Sequence, residues 1–404
     1  MVRFIHTSDW QLGMTRHYLD ADAQPRFTAD RIHTVRRILT LAQERACDFV
    51  VVAGDVFEHP NLHRQDIGRA LEAMGSRAIP VYLLPGNHDP LGTGSLWSSP
   101  SLRDRLPHNV VVLDRVGTWP VRDGVELVAA PWSSKSPDTD PVAACLTGLV
   151  PDGTLRIVVG HGMLEDLEPD VTSAVAVRRA PLEAAVAEGT IHYVALGDRH
   201  IRWPLDGHGV IHYSGTHEST SFREPGRGHV LEVQVDAGQQ PVVTAHQVGS
   251  WQHVVIHREL NSAADISALA RDLSAMEMKE NTIVKTACTG SLTVSEHATL
   301  DEVMDEHRDL FAALYPWERH TEIAIVPDDD QLAHTQWTGY IHDTFQELME
   351  QAAAPQRTAY AAVSDAQSGD ADDDALPPEP APPDTHLTAQ DAVRLLVRLA
   401  GGTQ

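Results

Sequence analysis

The octapeptide HTSDWQLG, residues 6–13, directly follows a short apolar run formed by Val2, Phe4 and Ile5. An apolar run that stops at a polar turn is typical of a buried strand in an α/β sheet. The turn carries Asp9 and, two residues later, Gln11. Gln11 could be a surface residue or could occupy a metal-ligand position where histidine would be expected. The octapeptide alone leaves both interpretations open, because the answer depends on whether similar turns recur.

Turns of the same kind do recur along the chain. Each follows an apolar run, and the carboxyl ends of parallel strands are where the loops of an α/β sheet converge to form a site. Carboxylate and amide oxygens together with imidazoles suit manganese, iron or zinc, and two such ions about 3.5 to 4 Å apart can clamp a phosphoryl group. The five turns are DWQ (9–11), GD (54–55), GNHD (86–89), GHG (160–162) and GDRH (197–200).

Strand-like runs alternate with helical stretches through about residue 250, which predicts an α/β layered domain over residues 1–250. After that point the pattern predicts a small separate α/β domain over residues 251–330, in which the helix at 300–314 precedes a last strand. The predicted strands of the first domain are 2–6, 48–54, 80–86, 109–114, 126–131, 155–160 and 191–197.

The rest of the chain has a different composition. We expect a helical segment at residues 331–354 and an acidic linker rich in proline and alanine at 355–385, which cannot bury enough apolar surface to fold. The pattern of residues 386–404 predicts an amphipathic helix, with Thr388 as a plausible N-cap. This helix either docks onto a partner or folds back onto its own domain.

Composition limits the class of protein. No apolar run approaches the roughly 20 residues of a membrane span, and no secretion signal is visible, so we expect a cytoplasmic protein without membrane contact. Cys47, Cys145 and Cys288 are widely spaced and predict buried, reduced thiols. The formal charge of −26 repels nucleic acid at long range, although a metal centre or a partner protein can supply local positive charge.

The ordered motifs resemble those of the calcineurin-like metallophosphoesterases and, within them, the SbcD-type nuclease subunits of DNA double-strand-break repair. The resemblance runs from residue 1 to about residue 225, and it implies a layered β-sandwich flanked by helices, with a small α/β capping domain and a helical C-terminal region. The segments that carry it are HTSDWQLG, VVAGDVFEHP, VYLLPGNHDP, VVGHGM, YVALGDRHIRWP and YSGTHESTSF.

The resemblance also implies roles for individual residues. The first metal would be held by Asp9, Gln11, Asp55 and His200. The second would take Asp55, Asn87, His161 and Asp198, with Asp55 bridging the two ions. His88 would face the scissile phosphate as a catalytic acid or charge stabiliser, Asp89 would orient it, and His217 could contact substrate.

The sequence departs from the family pattern at two ligand positions. The family has histidine where this chain has Gln11, and GHxH where this chain has GDRH, which places Asp198 at the first histidine. Both replacements can ligate through oxygen, and the added oxygen ligands favour manganese or magnesium. The alternative is a weakened or single-metal centre that is retained for binding.

The resemblance implies a metal-dependent DNA exonuclease and endonuclease with two divalent ions, most suitably manganese. It also implies a homodimer that works in DNA repair and recombination with an SbcC-like, SMC-family coiled-coil ATPase. In that arrangement residues 386–404 would dock onto the ATPase. Two alternatives stay open: a phosphoesterase for a nucleotide or other small substrate, and a non-catalytic scaffold that positions an ATPase on DNA.

Overall fold

The computed structural model describes residues 1–135, 137–168, 170 and 173–326. The chain divides into two compact units, of which the first is Met1–His253 and the second begins at Val254. The helical segment, linker and C-terminal helix predicted at 331–354, 355–385 and 386–404 lie outside the described residues.

The described residues contain alternating helices and strands. The helices are α1 Ala23–Glu44, α2 Arg64–Met74, α3 Pro100–Arg103, α4 Pro141–Cys145, α5 Arg179–Ala187, α6 Ala263–Ala275 and α7 Val294–Arg308. The strands are β1 Val2–Thr7, β2 Phe49–Val52, β3 Val81–Leu83, β4 Val110–Val112, β5 Gly117–Arg122, β6 Val125–Ala129, β7 Leu155–His161, β8 Tyr193–Gly197, β9 Ile211–Tyr213, β10 His229–Val235, β11 Val242–Gln247, β12 Gln252–Leu260, β13 Thr282–Thr293, β14 Ala313–Pro316 and β15 Glu322–Val326.

The first unit contains two sheets. The six-stranded sheet has the order β11-β10-β1-β2-β3-β4, in which β1 to β4 are parallel and β10 and β11 are antiparallel additions. The five-stranded sheet has the order β5-β6-β7-β8-β9, in which β6 to β9 are parallel and β5 is antiparallel to β6. The carboxyl ends of the parallel strands therefore lie together at the same end of each sheet.

The two sheets pack face to face. Successive side chains of a strand point to opposite faces, so Phe49 and Val51 of β2 join a buried apolar cluster with Leu127 of β6 and Ile157 of β7. Because this cluster draws on both sheets, it is the centre of a β-sandwich. The predicted layered sandwich is confirmed.

Helices cover the outer face of each sheet. Val50 and Val52, the alternate residues of β2, pack in a second cluster with Ile38 of α1 and Leu71 of α2. On the five-stranded sheet, Val158 of β7 packs with residues of α4 and α5. Strands buried on both faces explain why the sequence shows near-continuous apolar runs rather than alternation.

All seven strands predicted in the first domain are present, but four further strands were missed. Ile211–Tyr213 is only three residues long, and Val242–Gln247 is half exposed and so lacks a strong apolar signal. The missed strands are β5, β9, β10 and β11.

The second unit contains β13 with β14 and β15 as parallel neighbours, and α6 and α7 pack with the sheet around their own apolar core. The prediction that the helix at 300–314 ends at residue 314 is wrong. The helix α7 stops at Arg308, and Ala313–Pro316 pairs with β13 instead, because this apolar segment completes the sheet.

Cys47, Cys145 and Cys288 are buried free thiols, as predicted. Among the helices in the described ranges, none combines the length and the apolar character that a membrane span requires.

Candidate metal centre

The turns after β1 and β2 are tied together by backbone hydrogen bonds. The amide of Asp9 donates to the Gly54 carbonyl at 3.1 Å, and the amide of Gln11 donates to the Asp55 carbonyl at 2.8 Å. Since β1 and β2 are adjacent parallel strands, these bonds continue the sheet beyond its last residues. The two turns therefore hold their side chains at a fixed spacing.

Glycines in these motifs allow neighbouring turns to approach closely. A Cβ atom at Gly54 would overlap the imidazole of His161, and one at Gly86 would overlap the carboxylate of Asp55. Gly54 also adopts a positive φ of 91°, a conformation that side chains rarely tolerate. The glycines of AGD and PGNHD are therefore required by the packing of the site.

Side chains from both sheets converge above these turns. Ligand atoms of Asp9, Asp55 and His161 all lie within 4.8 Å of one another, and all three residues are buried. The Nε2 atom of His161 is 3.4 Å from Oδ1 of Asp55 and 3.7 Å from Oδ1 of Asp198. A cluster of carboxylates and imidazole at this spacing can hold a divalent cation.

The hydrogen bonds of His161 direct one ring nitrogen into the cluster. Its Nδ1 atom lies 2.8 Å from the Ala53 carbonyl, which can only accept, so Nδ1 carries the hydrogen. Its Nε2 atom lies 2.7 Å from Oδ1 of Asn87. A histidine held in this way presents the Nε2 lone pair to a cation when the ring is neutral.

His200 approaches the cluster from the other side. Its Nε2 atom is 3.9 Å from Oδ1 of Asp9, and its Nδ1 atom is 2.9 Å from Oε1 of Glu224. The Glu224 carboxylate therefore fixes the ring so that Nε2 faces Asp9. Sequence reasoning missed Glu224, which is itself buried and accepts the Thr220 amide at 2.6 Å.

The electrostatics of the cluster favour a cation. Burial raises the pKa of Asp198 to about 6, with Asp9 and Asp55 adding to the shift. Burial also raises the pKa of Asp9, and it would raise that of Asp55, but the charges of His161 and His88 hold the Asp55 pKa at about 2. Three acidic groups packed this closely are stabilised when positive charge lies among them.

Gln11 provides a direct test of whether the residues fit a metal. Its side chain is 3% exposed, and its Oε1 atom is buried without a hydrogen-bond partner among the described residues. A buried carbonyl oxygen without a donor is costly, and native proteins nearly always satisfy such groups. The backbone of Gln11 is bonded to that of Asp55, and a cation bound within reach of Oε1 would satisfy this oxygen, so the chemistry of the donor set fits a bound ion.

The backbone at the candidate ligands is unusual. Asp9, Gln11, Asp55 and Asp198 all have positive φ angles, of 51°, 41°, 51° and 91°. Residues other than glycine rarely adopt this region, and such strain concentrates at functional sites. The fold therefore holds these four side chains in place at a conformational cost.

His88 lies beside the cluster, whereas Asp89 points elsewhere. The Nδ1 atom of His88 is 3.0 Å from the Glu58 carbonyl, and its Nε2 atom is 4.0 Å from Oδ2 of Asp55. The carboxylate of Asp89 accepts the amides of Gly86 at 2.8 Å and Phe57 at 3.0 Å. We therefore correct the predicted role of Asp89: it stabilises the GNHD turn, and the Glu58 carbonyl orients His88.

The predicted substrate contact of His217 is wrong. The residue is fully buried, and its Nε2 atom lies 3.0 Å from the Arg31 carbonyl of α1. Burial also lowers the pKa of His217 well below its usual value, with the charge of Arg31 adding to the shift, so the ring is neutral. His217 is a packing residue between α1 and the YSGTHES segment.

Ser8 is a further site residue that sequence reasoning missed. Its Oγ atom donates to Oδ2 of Asp9 at 2.5 Å, which leaves Oδ1 of Asp9 directed towards the amide of Asp198 at 3.1 Å. The only signal for Ser8 in the sequence is its position beside Asp9, which does not distinguish it from an ordinary turn serine. Its hydroxyl fixes the orientation of the first carboxylate.

Comparison with known proteins agrees with this geometry. The family model for calcineurin-like phosphoesterases matches residues 2–218. The chain is 28% identical over 270 residues to the SbcD component of the SbcCD nuclease of Rhodobacter capsulatus, which is 56% of this chain and 65% of that protein. It is 30% identical over 95 residues to the SbcD component of the Escherichia coli K12 nuclease, which is 23% of this chain and 22% of that protein. Each alignment spans less than two thirds of the relative.

Proposed function

This chain belongs to the calcineurin-like phosphoesterase family, and from that membership we propose that it is a metal-dependent phosphodiesterase that cleaves DNA. The observation that carries the proposal is the convergence of Asp9, Asp55 and His161, buried and within 4.8 Å of one another, at the ends of strands from both sheets. The similarity to the SbcD components of two SbcCD nucleases supports DNA as the substrate.

The proposed centre holds two divalent ions, with manganese preferred. Asp9, Gln11, Asp55 and His200 hold the first ion, and Asp55, Asn87, His161 and Asp198 hold the second. Five of these seven residues offer carboxylate or amide oxygen, which suits manganese or magnesium better than zinc. When bound, the two ions would neutralise the phosphoryl oxygens and lower the pKa of the attacking water.

His88 is the proposed catalytic residue. With Nδ1 directed to the Glu58 carbonyl, Nε2 faces the side of the cluster where Asp55 lies, and the side chain is 21% exposed. A partly exposed imidazole beside the carboxylates can take up a second proton, and the imidazolium can then donate a hydrogen bond or that proton from Nε2 to the leaving oxygen of the phosphodiester. The Glu58 carbonyl fixes the direction of this donor.

The proposal extends to partners by similarity with the two SbcCD relatives. The chain acts as a homodimer with an SbcC-like, SMC-family ATPase in DNA repair or recombination. Its compartment is the cytoplasm, in which buried, reduced cysteines are expected. The small α/β unit from Val254 caps the DNA, and residues 386–404 dock onto the ATPase. The ATPase supplies most of the phosphate-binding positive charge, because this chain is acidic overall.

The test uses the full chain, stripped of metal with a chelator and reloaded with manganese. We expect manganese-dependent cleavage of labelled single- and double-stranded oligonucleotides, abolished by Asp55→Asn. Asp152→Asn, a matched change at a surface carboxylate paired with Arg156, serves as the control and retains cleavage. Hydrolysis of nucleotides without any cleavage of DNA would support the small-substrate alternative and contradict the proposal.

A further inference from the structure

A pocket of about 190 Å³ lies behind His200 in the first unit. A water molecule occupies about 30 Å³ in the liquid, so the pocket has room for a phosphate-sized group with water. Its wall includes His200 and Glu224, and therefore adjoins the candidate metal centre. The other ionisable groups that line the pocket are Arg202, Arg227 and His229.

Two arginines of the pocket wall have no acidic partner within the part of the chain that the structure describes. Among the described residues, neither Arg202 nor Arg227 forms an ion pair, although the chain carries 57 acidic residues against 31 basic ones. In so acidic a chain, a basic side chain would be expected to form an ion pair with a nearby carboxylate. The two unpaired guanidinium groups instead give the pocket a local positive charge.

Arg227 combines a buried Nε atom with a guanidinium group in the pocket wall. Its Nε atom is buried and has no acceptor among the residues that the structure describes. Buried donors in native proteins are nearly always satisfied, by the protein, by water or by a ligand. Arg227 lines the pocket together with Arg202, and the fork of a guanidinium group matches the oxygens of a phosphate.

The remaining ionisable groups of the pocket do not cancel this charge. Glu224 also lines it, but its carboxylate already accepts hydrogen bonds from His200 and Thr220. Burial lowers the pKa of His229, and the charge of Arg202 lowers it further, so both effects favour the neutral ring. The pocket wall therefore carries two guanidinium groups that form no ion pair within the described residues.

We propose that this pocket binds a backbone phosphate of the DNA strand, next to the phosphodiester held at the metal centre. The inference rests on the proposed function and adds a substrate-positioning subsite to it. Because His200 belongs to both the centre and the pocket wall, an anion held by Arg202 and Arg227 lies beside the scissile group. Such a contact recognises nucleic acid by its repeated phosphates, which a single phosphodiester cannot offer.

The test is the double variant Arg202→Gln/Arg227→Gln in the manganese-loaded full chain. We compare kcat/KM for a single-stranded oligonucleotide with kcat/KM for bis(p-nitrophenyl) phosphate, which has only one phosphate. The ratio of the two should fall about 10- to 100-fold, the size expected for losing hydrogen bonds to a charged group. In oligonucleotide binding, the slope of log K against log salt should flatten by about 0.7 for one lost phosphate contact on a single strand.

Two further variants separate the subsite from general effects of charge and folding. Arg64→Gln/Arg69→Gln removes two exposed positive charges of α2 and should leave the ratio and the slope unchanged. Arg202→Lys/Arg227→Lys keeps the charge and should retain most of the salt slope. A wild-type ratio and slope in the glutamine double variant would overturn the subsite while leaving the proposed function intact.

Two other outcomes are equally informative. Loss of inhibition by inorganic phosphate with unchanged oligonucleotide kinetics would mean that the pocket takes a free anion, and would overturn the subsite. If wild-type protein cleaves no DNA but the glutamine variant still loses oligonucleotide binding, the proposed function fails while the phosphate pocket stands.

Discussion

The Nδ1 atom of His200 lies 2.9 Å from Oε1 of Glu224, while Nε2 of the same ring faces Asp9 at 3.9 Å. The other oxygen of Glu224 is held by the amide of Thr220. A carboxylate behind a metal-binding histidine fixes its tautomer and increases its basicity. Glu224 is therefore a positioning residue for the first metal position.

Glu224→Gln should weaken metal binding while preserving the fold. Glutamine keeps an oxygen that can accept from His200 but lacks the negative charge. Loss of such a partner typically lowers metal affinity about 10- to 100-fold. Calorimetric titration of manganese into chelator-stripped protein measures the effect. Glu232→Gln is the matched control, because Glu232 is a buried glutamate that is paired with Arg3 and Arg45. Equal metal affinities in the two variants would remove Glu224 from this role.

His88→Ala should abolish most hydrolysis and leave both metals bound. The side chain is assigned to the leaving oxygen, and loss of one general acid costs about 10² to 10⁴ in rate. Phosphodiester cleavage and metal content are measured on the same preparation. Near-normal turnover with full metal occupancy would exclude His88 from the mechanism, whereas loss of metal would make it a ligand.

Gln11→His and Asp198→His should each change the metal preference. Histidine replaces an oxygen ligand with imidazole, so affinity for zinc should rise relative to manganese. Competitive titration of the two ions into wild-type and variant proteins gives the ratio. If neither ratio changes, these side chains do not ligate, and the assignments of the DWQ and GDRH turns fail.

Buried neutral histidines should make the protein acid-sensitive. Burial lowers the pKa of His6 to about 3, with His212 adding to the shift, and its ring contacts the Tyr193 hydroxyl and the Leu196 carbonyl. An unfolded histidine titrates near 6.5, so between these values the unfolded chain binds more protons and stability falls as the pH drops. At pH 5 this amounts to about 2 kcal/mol relative to pH 8.

Urea unfolding of chelator-treated protein at pH 8 and pH 5 tests this, with His6→Asn beside wild type. The variant should lose about 2 kcal/mol less between the two pH values, because residue 6 no longer titrates. His33→Asn changes an exposed histidine on α1 and should retain the wild-type dependence. Identical pH dependence in all three proteins would show that His6 does not contribute.

The part of the site that could be predicted from the sequence lies at strand ends. Asp9, Asp55 and His161 follow apolar runs, and parallel strands bring their carboxyl ends to one edge, so their proximity follows from the pattern. The orientation of Asp89 did not follow, because it depends on the turn that directs its carboxylate to the amides of Gly86 and Phe57.

Tertiary contacts between irregular segments could not be predicted. Glu224 reaches His200 across 24 residues of loop and short strand, and no periodicity marks that contact. His217 lies within a motif-like segment, yet its side chain packs against α1, where its Nε2 atom contacts the Arg31 carbonyl. Local sequence patterns specify strands and their turns, whereas these side chains are placed by the packing of distant elements.

The central claim is that this chain holds two divalent ions bridged by Asp55. Anomalous X-ray diffraction at the manganese edge, from crystals of the full chain grown with manganese, tests it directly. The account predicts two peaks about 3.5 to 4 Å apart, with Asp55 between them, Gln11 at one and Asp198 at the other. A single peak, or two peaks with Gln11 and Asp198 turned away from them, would contradict the account.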